Sequence, residues 1–303
     1  MLNLIRAYKY YPYRIPARVK FFNFFRFFVR FRLAEEWIAK QIFSGSDFWK
    51  KAVPPIYFYQ PGAFRKVTRN GIAMELDLSN LVDHAIFFGV PKEQGWENLL
   101  SLAKVDSVVF DVGANIGFLT LHFASACTNG FVYSFEPGRK NFARLQKNLA
   151  LNNLLNIKVF QLALGERTES RELYEMYSFN TGANRILNTS VENNVSETVS
   201  VSSLDDVVAS LDLDRLDILK MDVEGYELFV LRGGQKIIER FMPILFVELA
   251  DDNLRHHNLS SHDVIRFVLK MNYSIVDART MKPLDVSTDK FHIDILCFPN
   301  EKN

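Results

Sequence analysis

Short apolar runs alternate with amphipathic stretches through the middle of the chain, and that alternation predicts strand, helix, strand. Residues 108–110, Val-Val-Phe, are β-branched and aromatic, as suits a strand covered on both faces. They lead through Asp111 into V-G-A-N-I-G, where Gly113 and Gly117 free the backbone to turn tightly beside a ligand. A second run over 131–135, F-V-Y-S-F, ends at Glu136, twenty-five positions after Asp111. That spacing fits a strand–helix–strand unit. Phe142, Leu145 and Leu149 then recur at helical intervals, and further strands are expected over 157–162, 216–221 and 244–249. A helix over 264–269, followed by N-Y-S-I-V-D and F-H-I-D-I-L-C-F, would complete the sheet with an antiparallel pair. The fold class is therefore α/β, and ligands are expected outside the carboxyl ends of its strands.

The pattern changes on either side of this repeat. Residues 165–203 are rich in Ser, Asn, Thr and Glu, with alternating runs R-E-L-Y-E-M and E-T-V-S-V-S that predict an inserted hairpin. The long polar loop between its arms is expected to bind the acceptor, with Arg185 as an anion or sugar contact. From 54 to 78 short strands are expected, turning at Asn70-Gly71 and capping the core domain. Residues 84–104 read as a helical approach, from which Glu93 could reach toward the ligand.

Residues 1–53 read as a helical extension preceding a domain over 54–303. Eight Lys or Arg lie between Arg6 and Arg32 and no acid precedes Glu35, while the remaining chain, with 28 basic and 35 acidic residues, carries −7. A basic arm is thus joined to an acidic body. On a helical wheel Lys20, Asn23, Arg26 and Arg30 oppose most of the phenylalanines of F-F-N-F-F-R-F-F, with Phe27 and Arg32 breaking the pattern. One reading is a helix packed on the body with its arginines solvated. Another is a peripheral membrane contact through residues 1–34. A presequence or a nucleic-acid arm are further readings, the former disfavoured by the scarcity of Ser.

A composition 48% hydrophobic and 23% charged is ordinary for a folded chain. Two cysteines, Cys127 and Cys297, make no disulfide framework, which points to a reducing, cytoplasmic setting. The longest uncharged stretch, 112–135, contains the glycine loop and a Thr-Asn-Gly turn, so it is not a membrane span.

Candidate chemistry follows from the strand ends. Glu136 is placed to accept hydrogen bonds from two ribose hydroxyls. The glycine loop has Asn115 where a dinucleotide site wants its middle glycine, which argues against NAD. Asp111 suits an amino-acid ammonium and would repel a pyrophosphate. S-adenosyl-L-methionine has that ammonium and no phosphate. An adenine would lie on Leu162 and Ala163. The fourth strand ends in D-V-E-G-Y-E, with three acids in six positions, and Glu248 ends the fifth on the same rim. His256 and His257 lack a recognised metal spacing.

These motifs, D-V-G-A-N-I-G, F-E-P, A-L-G, S-L-D-D, K-M-D-V-E-G-Y-E and F-V-E-L in this order, resemble the FkbM-type, class I S-adenosylmethionine-dependent methyltransferases over roughly residues 84–250. The resemblance implies a Rossmann-like, mostly parallel seven-stranded sheet and methyl transfer to a hydroxyl on a sugar, glycan or secondary metabolite. By the same resemblance Asp111, Gly113, Ala114, Asn115 and Gly117 form the methionine-side loop, Glu136 is the ribose ligand, and Asp222 and Glu224 stand beside the transferred methyl. Either acid, or His84, would take the acceptor's proton, and a divalent ion could use the same acids. Two rivals remain at this stage. An RNA methyltransferase would use the basic arm, although the Asn/Asp-Pro-Pro-aromatic run is missing. A membrane-associated protein could bind S-adenosylmethionine without turning it over.

Overall fold

The computed structural model describes residues 17–89, 95–187, 196–211 and 213–300. The chain divides into two compact units, one of residues 1–92 with 178–182 and the other of 93–177 with 183–303. The division falls well beyond residue 53, and the hairpin expected to cap the core domain belongs to the first unit. The reason is a shared interior. Glu35 from the extension is fully buried and accepts hydrogen bonds from Arg65 Nε at 2.8 Å and Tyr59 Oη at 2.9 Å.

In the first unit, helices α1 (Ala17–Phe28) and α2 (Arg32–Phe43) precede an antiparallel pair, β1 (Phe64–Arg69) and β2 (Ile72–Asp77). The pair turns at Asn70 and Gly71, both at positive φ (50° and 79°), as an Asn-Gly hairpin requires. Helix α3 (Leu81–Phe88) follows, its first turn capped by the Asn80 side chain. The wheel of α1 is divided as expected, but its polar side faces inward, so the arginines are not simply solvated. Asn23 is buried and donates to Tyr57 Oη at 2.6 Å, Arg26 Nε donates to the Lys51 carbonyl at 2.7 Å, and Arg30 donates to the Phe58 carbonyl. The carbonyls of Lys51 and Phe58 lie outside any sheet ladder, and Arg26 of α1 and Arg30 just beyond it supply their donors. Among the described residues no helix is long and apolar enough to cross a membrane.

The second unit begins with α4 (Trp96–Leu102), then β3 (Val108–Val112), α5 (Phe118–Ala126), β4 (Phe131–Phe135), α6 (Arg139–Leu149) and β5 (Ile157–Phe160). A second group is made of β6 (Ala163–Gly165), β7 (Glu169–Tyr174), β8 (Arg185–Ile186) and β9 (Ser196–Ser203). The remainder is α7 (Leu204–Leu211), β10 (Ile218–Met221), α8 (Glu227–Gly233), α9 (Gln235–Phe241), β11 (Ile244–Ala250), α10 (Asp251–Leu254), α11 (Ser261–Lys270), β12 (Tyr273–Asp277) and β13 (His292–Pro299).

The main sheet has seven strands in the order β5-β4-β3-β10-β11-β13-β12, with β13 alone antiparallel to its neighbours. This is the Rossmann-like, seven-stranded sheet that the family resemblance implied, with its strands on the apolar runs. Alternate residues feed opposite faces: Val109, Val132, Ile218 and Phe246 enter one buried cluster, and Phe110, Phe135, Leu219 and Leu245 the other. Two boundaries differ from expectation. The third strand stops at Phe160, because residues 163–165 leave the main sheet to pair with β9, and the fourth starts at Ile218. The polar stretch after it folds as the antiparallel pair β7 and β9, with β8 on the outer edge.

Candidate functional site

The site is built from the carboxyl ends of four neighbouring strands, β4, β3, β10 and β11. After β3 the chain turns through Gly113 (φ 77°), Asn115 (φ 51°) and Gly117 (φ 88°) into α5. A Cβ on Gly113 would stand 2.0 Å from the Asp222 carbonyl oxygen, so only glycine lets this loop lie against the end of β10. The amides of Gly113 and Ala114 both donate to the Phe135 carbonyl, at 2.9 and 3.0 Å, tying the loop to β4 as well.

Glu136, at the end of β4, is buried with each carboxylate oxygen accepting one amide. Asn115 N donates to Oε2 and Gly138 N to Oε1, both at 2.9 Å. Burial pushes this carboxyl up to about 7, against the amides of Gly138 and Asn115 and the nearby Lys220, which pull it down. It is thus poised to carry either charge state near neutral pH.

Asp111 departs from expectation. It is fully buried, 3.1 Å from Lys220 Nζ, and accepts from Thr120 Oγ1 at 2.6 Å. A carboxylate so enclosed fastens the loop rather than presenting itself to an ammonium. Lys220 Nζ also donates to the Gly113 carbonyl at 2.9 Å, linking β10 to the glycine turn. Burial alone would lower the Lys220 ammonium, but Asp111, Asp222 and Glu136 outweigh it and hold it above the usual lysine range. Sequence reasoning passed over Lys220. Its signal was present, since a lysine inside the run L-D-I-L-K-M needs a buried counter-charge.

The D-V-E-G-Y-E segment divides its acids between two tasks. Glu227 is buried at the start of α8 and accepts the amides of Val223 (3.2 Å) and Gly225 (3.1 Å), so it holds the turn in shape. Asp222 and Glu224 remain half-buried and meet Glu248 from β11, with one oxygen of each within 4.8 Å of the others. At that spacing three carboxylates could share a proton or hold a divalent ion. Glu224 adopts φ 56°, a left-handed conformation that costs a non-glycine residue about 1 kcal/mol or more. Its Oε2 accepts from Arg185 Nη2 at 3.2 Å and from Asn253 Nδ2 at 2.8 Å. Burial and then the charge of Asp222 push the Glu224 carboxyl up to about 7, against the pull of Arg185. Burial, Asp222 and Glu224 likewise push Glu248 well above the usual range, and its Oε2 has no hydrogen-bond partner among the described residues. Asp294, opposite Glu248 on β13, is raised well above the usual range by burial and by Asp222, against the pull of Lys220.

Arg185, expected from the polar loop, is therefore brought to the acids, and its Nε is buried without a partner among the described residues. Asn253 in α10 completes the group. Nothing in the sequence singled it out. Leu162 is half-buried at the end of β5, whereas Ala163 is buried in a separate apolar cluster with Leu173, Val201 and Tyr226 and serves as core. His84 belongs to the first unit, where its Nε2 lies 2.7 Å from the Pro54 carbonyl and its ring packs between Tyr59 and Phe88. Burial pulls its imidazole down to about 4, so that within this unit it is a neutral packing residue. Glu93 and residues 188–195 of the long loop lie outside the described residues, as do residues 1–16 of the arm.

Comparison with known proteins shows that the sequence is similar to methyltransferases. The family model described as Methyltransferase FkbM domain matches residues 111–275. Methyltransferase 1 of Beauveria bassiana is 30% identical over 163 residues, covering 48% of this chain and 66% of that protein. Hexuronic acid methyltransferase AglP of Haloferax volcanii is 33% identical over 138 residues, covering 45% of this chain and 53% of that protein. 2-O-methyltransferase NoeI of Sinorhizobium fredii is 25% identical over 166 residues, covering 50% and 67% respectively. The chain thus spans about half to two thirds of the length of these relatives. Among solved structures, an FkbM methyltransferase from Methylobacillus flagellatus aligns with a TM-score of 0.43 at 22% identity, over 64% of this chain and 44% of that one.

Proposed function

The chain belongs to the FkbM methyltransferase family, and from that premise we propose that it methylates a hydroxyl of a sugar or glycan-type acceptor using S-adenosylmethionine. The observation that carries the reading is the convergence, on adjacent strand ends, of a glycine loop, a carboxylate suited to a ribose and a cluster of acids in which burial and like charge raise Glu224 and Glu248. The names of AglP and NoeI support the acceptor class.

The residues present fit the cofactor. Glu136 accepts one amide on each oxygen and a further hydrogen bond from the Asn141 side chain, which leaves one lone-pair direction for a ribose hydroxyl. Asn115 Oδ1 is buried with no partner among the described residues, an acceptor that suits an ammonium group better than the enclosed Asp111 does. Leu162 offers an apolar surface for the adenine. When bound, S-adenosylmethionine supplies an electrophilic methyl on a sulfonium. The chain's own contribution is to hold the acceptor oxygen in line in a site screened from water, and to take its proton. Glu224, with a carboxyl near 7, matches that task at neutral pH, while Arg185 and Asn253 fix its Oε2 and leave Oε1 for the acceptor. The unpartnered Arg185 Nε is a donor for an acceptor oxygen, including a uronate carboxylate.

Calorimetric titration with S-adenosylhomocysteine, with NAD as control, tests the cofactor. Binding is expected for the former alone, weakened about 10-fold or more by Glu136→Ala through loss of charge-assisted hydrogen bonds. Transfer of labelled methyl to neutral and uronic-acid oligosaccharides then tests the acceptor. Binding of NAD, or of neither ligand by folded protein, overturns the proposal.

A further inference from the structure

The first unit carries a surface that methyl transfer does not use, and we propose that α1 and the start of α2 dock on an anionic lipid surface. Phe21, Phe24, Phe25 and Phe28 are 64, 52, 56 and 61% exposed, at the i, i+3, i+4, i+7 spacing of one helical face. Their rings meet edge to face, with centroids 5.4 Å apart for Phe21–Phe25 and 5.1 Å for Phe24–Phe28, so the face is a formed apolar surface. Exposed Phe31, Leu33 and Trp37 continue the apolar character into α2.

A soluble amphipathic helix would turn this face inward. Here the opposite side is committed: Asn23, Arg26 and Arg30 are bonded to Tyr57, Lys51 and Phe58 within the unit. Rolling α1 over to bury the phenylalanines would strand those donors and the carbonyls they serve, so the aromatic side is fixed outward. An exposed cluster of this kind marks an interaction surface.

Charge identifies the partner. Arg6, Lys9, Arg14, Arg18 and Lys20 precede this face in the sequence, and no acid occurs before Glu35. A segment so basic in sequence disfavours a second copy of itself as partner, whereas an anionic leaflet attracts it and an acyl boundary suits the exposed rings of α1. The inference is independent of the methyl-transfer reading, and of the identity of the acceptor.

The test uses the full chain with sucrose-loaded vesicles of phosphatidylcholine alone, or of equimolar phosphatidylcholine and phosphatidylglycerol. Sedimentation is expected with the anionic vesicles, weakened by added salt, and with a blue shift of tryptophan emission as Trp37 leaves water. Phe24→Ser with Phe28→Ser should reduce partitioning about 10-fold or more. Both rings are exposed, so the variant's melting temperature should match the parent's. Protein left in the supernatant with both vesicle types, undiminished binding by the variant, or concentration-dependent dimerisation abolished by the same substitutions would each overturn the assignment.

Discussion

Glu224 has a strained backbone and a carboxyl held near 7 by burial and by Asp222, and both features make sense if it exchanges a proton during turnover. The rate should then rise with pH through about 7 as Glu224 loses its proton. Glu224→Gln is expected to lower kcat by about 100-fold or more and to remove that limb, with little change in S-adenosylmethionine affinity. Asp222→Asn removes the charge that helps hold the carboxyl up, so its limb should move to lower pH. Arg185→Met removes the charge that pulls it down, so its limb should move higher. A pH–rate series on the three variants checks the directions, and a profile unmoved by all of them would exclude Glu224 as the base. Chelation bears on the same acids. If a divalent ion sits among Asp222, Glu224 and Glu248, EDTA should abolish turnover and shift the melting temperature of the protein alone.

At the scale of elements, β3 and β10 are joined by more than their ladder. Lys220 of β10 reaches Asp111 and the Gly113 carbonyl, and Gly113 lies against Asp222. Lys220→Met leaves Asp111 buried without its cation and should destabilise the chain by about 3–5 kcal/mol in urea unfolding. Adding Asp111→Asn should restore much of that loss. Gly113→Ala, at φ 77° and 2.0 Å from a carbonyl, should separate the loop from β10, costing about 2 kcal/mol or more together with S-adenosylhomocysteine binding. How far such elements could be read from the sequence depended on what fixes them. The strands of the main sheet were legible because residues such as Val109 and Phe110 face two covered sides and make continuous apolar runs. The end of β5 was not, because V-F-Q-L-A-L stays apolar while the chain passes from one sheet to another. Asp222, Glu224 and Glu227 look alike in the sequence, and turn geometry alone gives Glu227 the amides and the other two the open rim. The two faces of α1 were legible too. Its orientation was not, since it follows from the donor needs of Lys51 and Phe58, distant in sequence.

For the molecule as a whole, the acids gathered at one edge of the sheet set how stability varies with pH. Glu136, Glu224 and Glu227 are each raised from an ordinary 4.5 to about 7, in every case chiefly by burial. Between those values the folded chain holds protons that the unfolded chain has released. Their contribution is therefore fully present below 4.5 and is lost as pH rises through about 7. At about 1.4 kcal/mol per pKa unit, each such acid can withdraw on the order of 1–3 kcal/mol by mildly alkaline pH. Asp251 and Asp263 act in the opposite sense. Their carboxyls are lowered from 3.8, with the Phe291 and Ser261 amides favouring the charged Asp251 over its burial and Ser260 favouring the charged Asp263, so what they contribute is lost only in strong acid. His84, lowered from 6.5 to about 4, adds stability as pH rises between those values, but the three acids outweigh it, so stability should peak in mild acid, near pH 5, and fall toward pH 8. Glu227→Gln keeps an oxygen for the Val223 and Gly225 amides but cannot ionise, so its melting temperature should decline less over that range than the parent's. A parent melting temperature that climbs from pH 5 to 8, or a variant with the same slope, would mean that these acids ionise in the fold without cost.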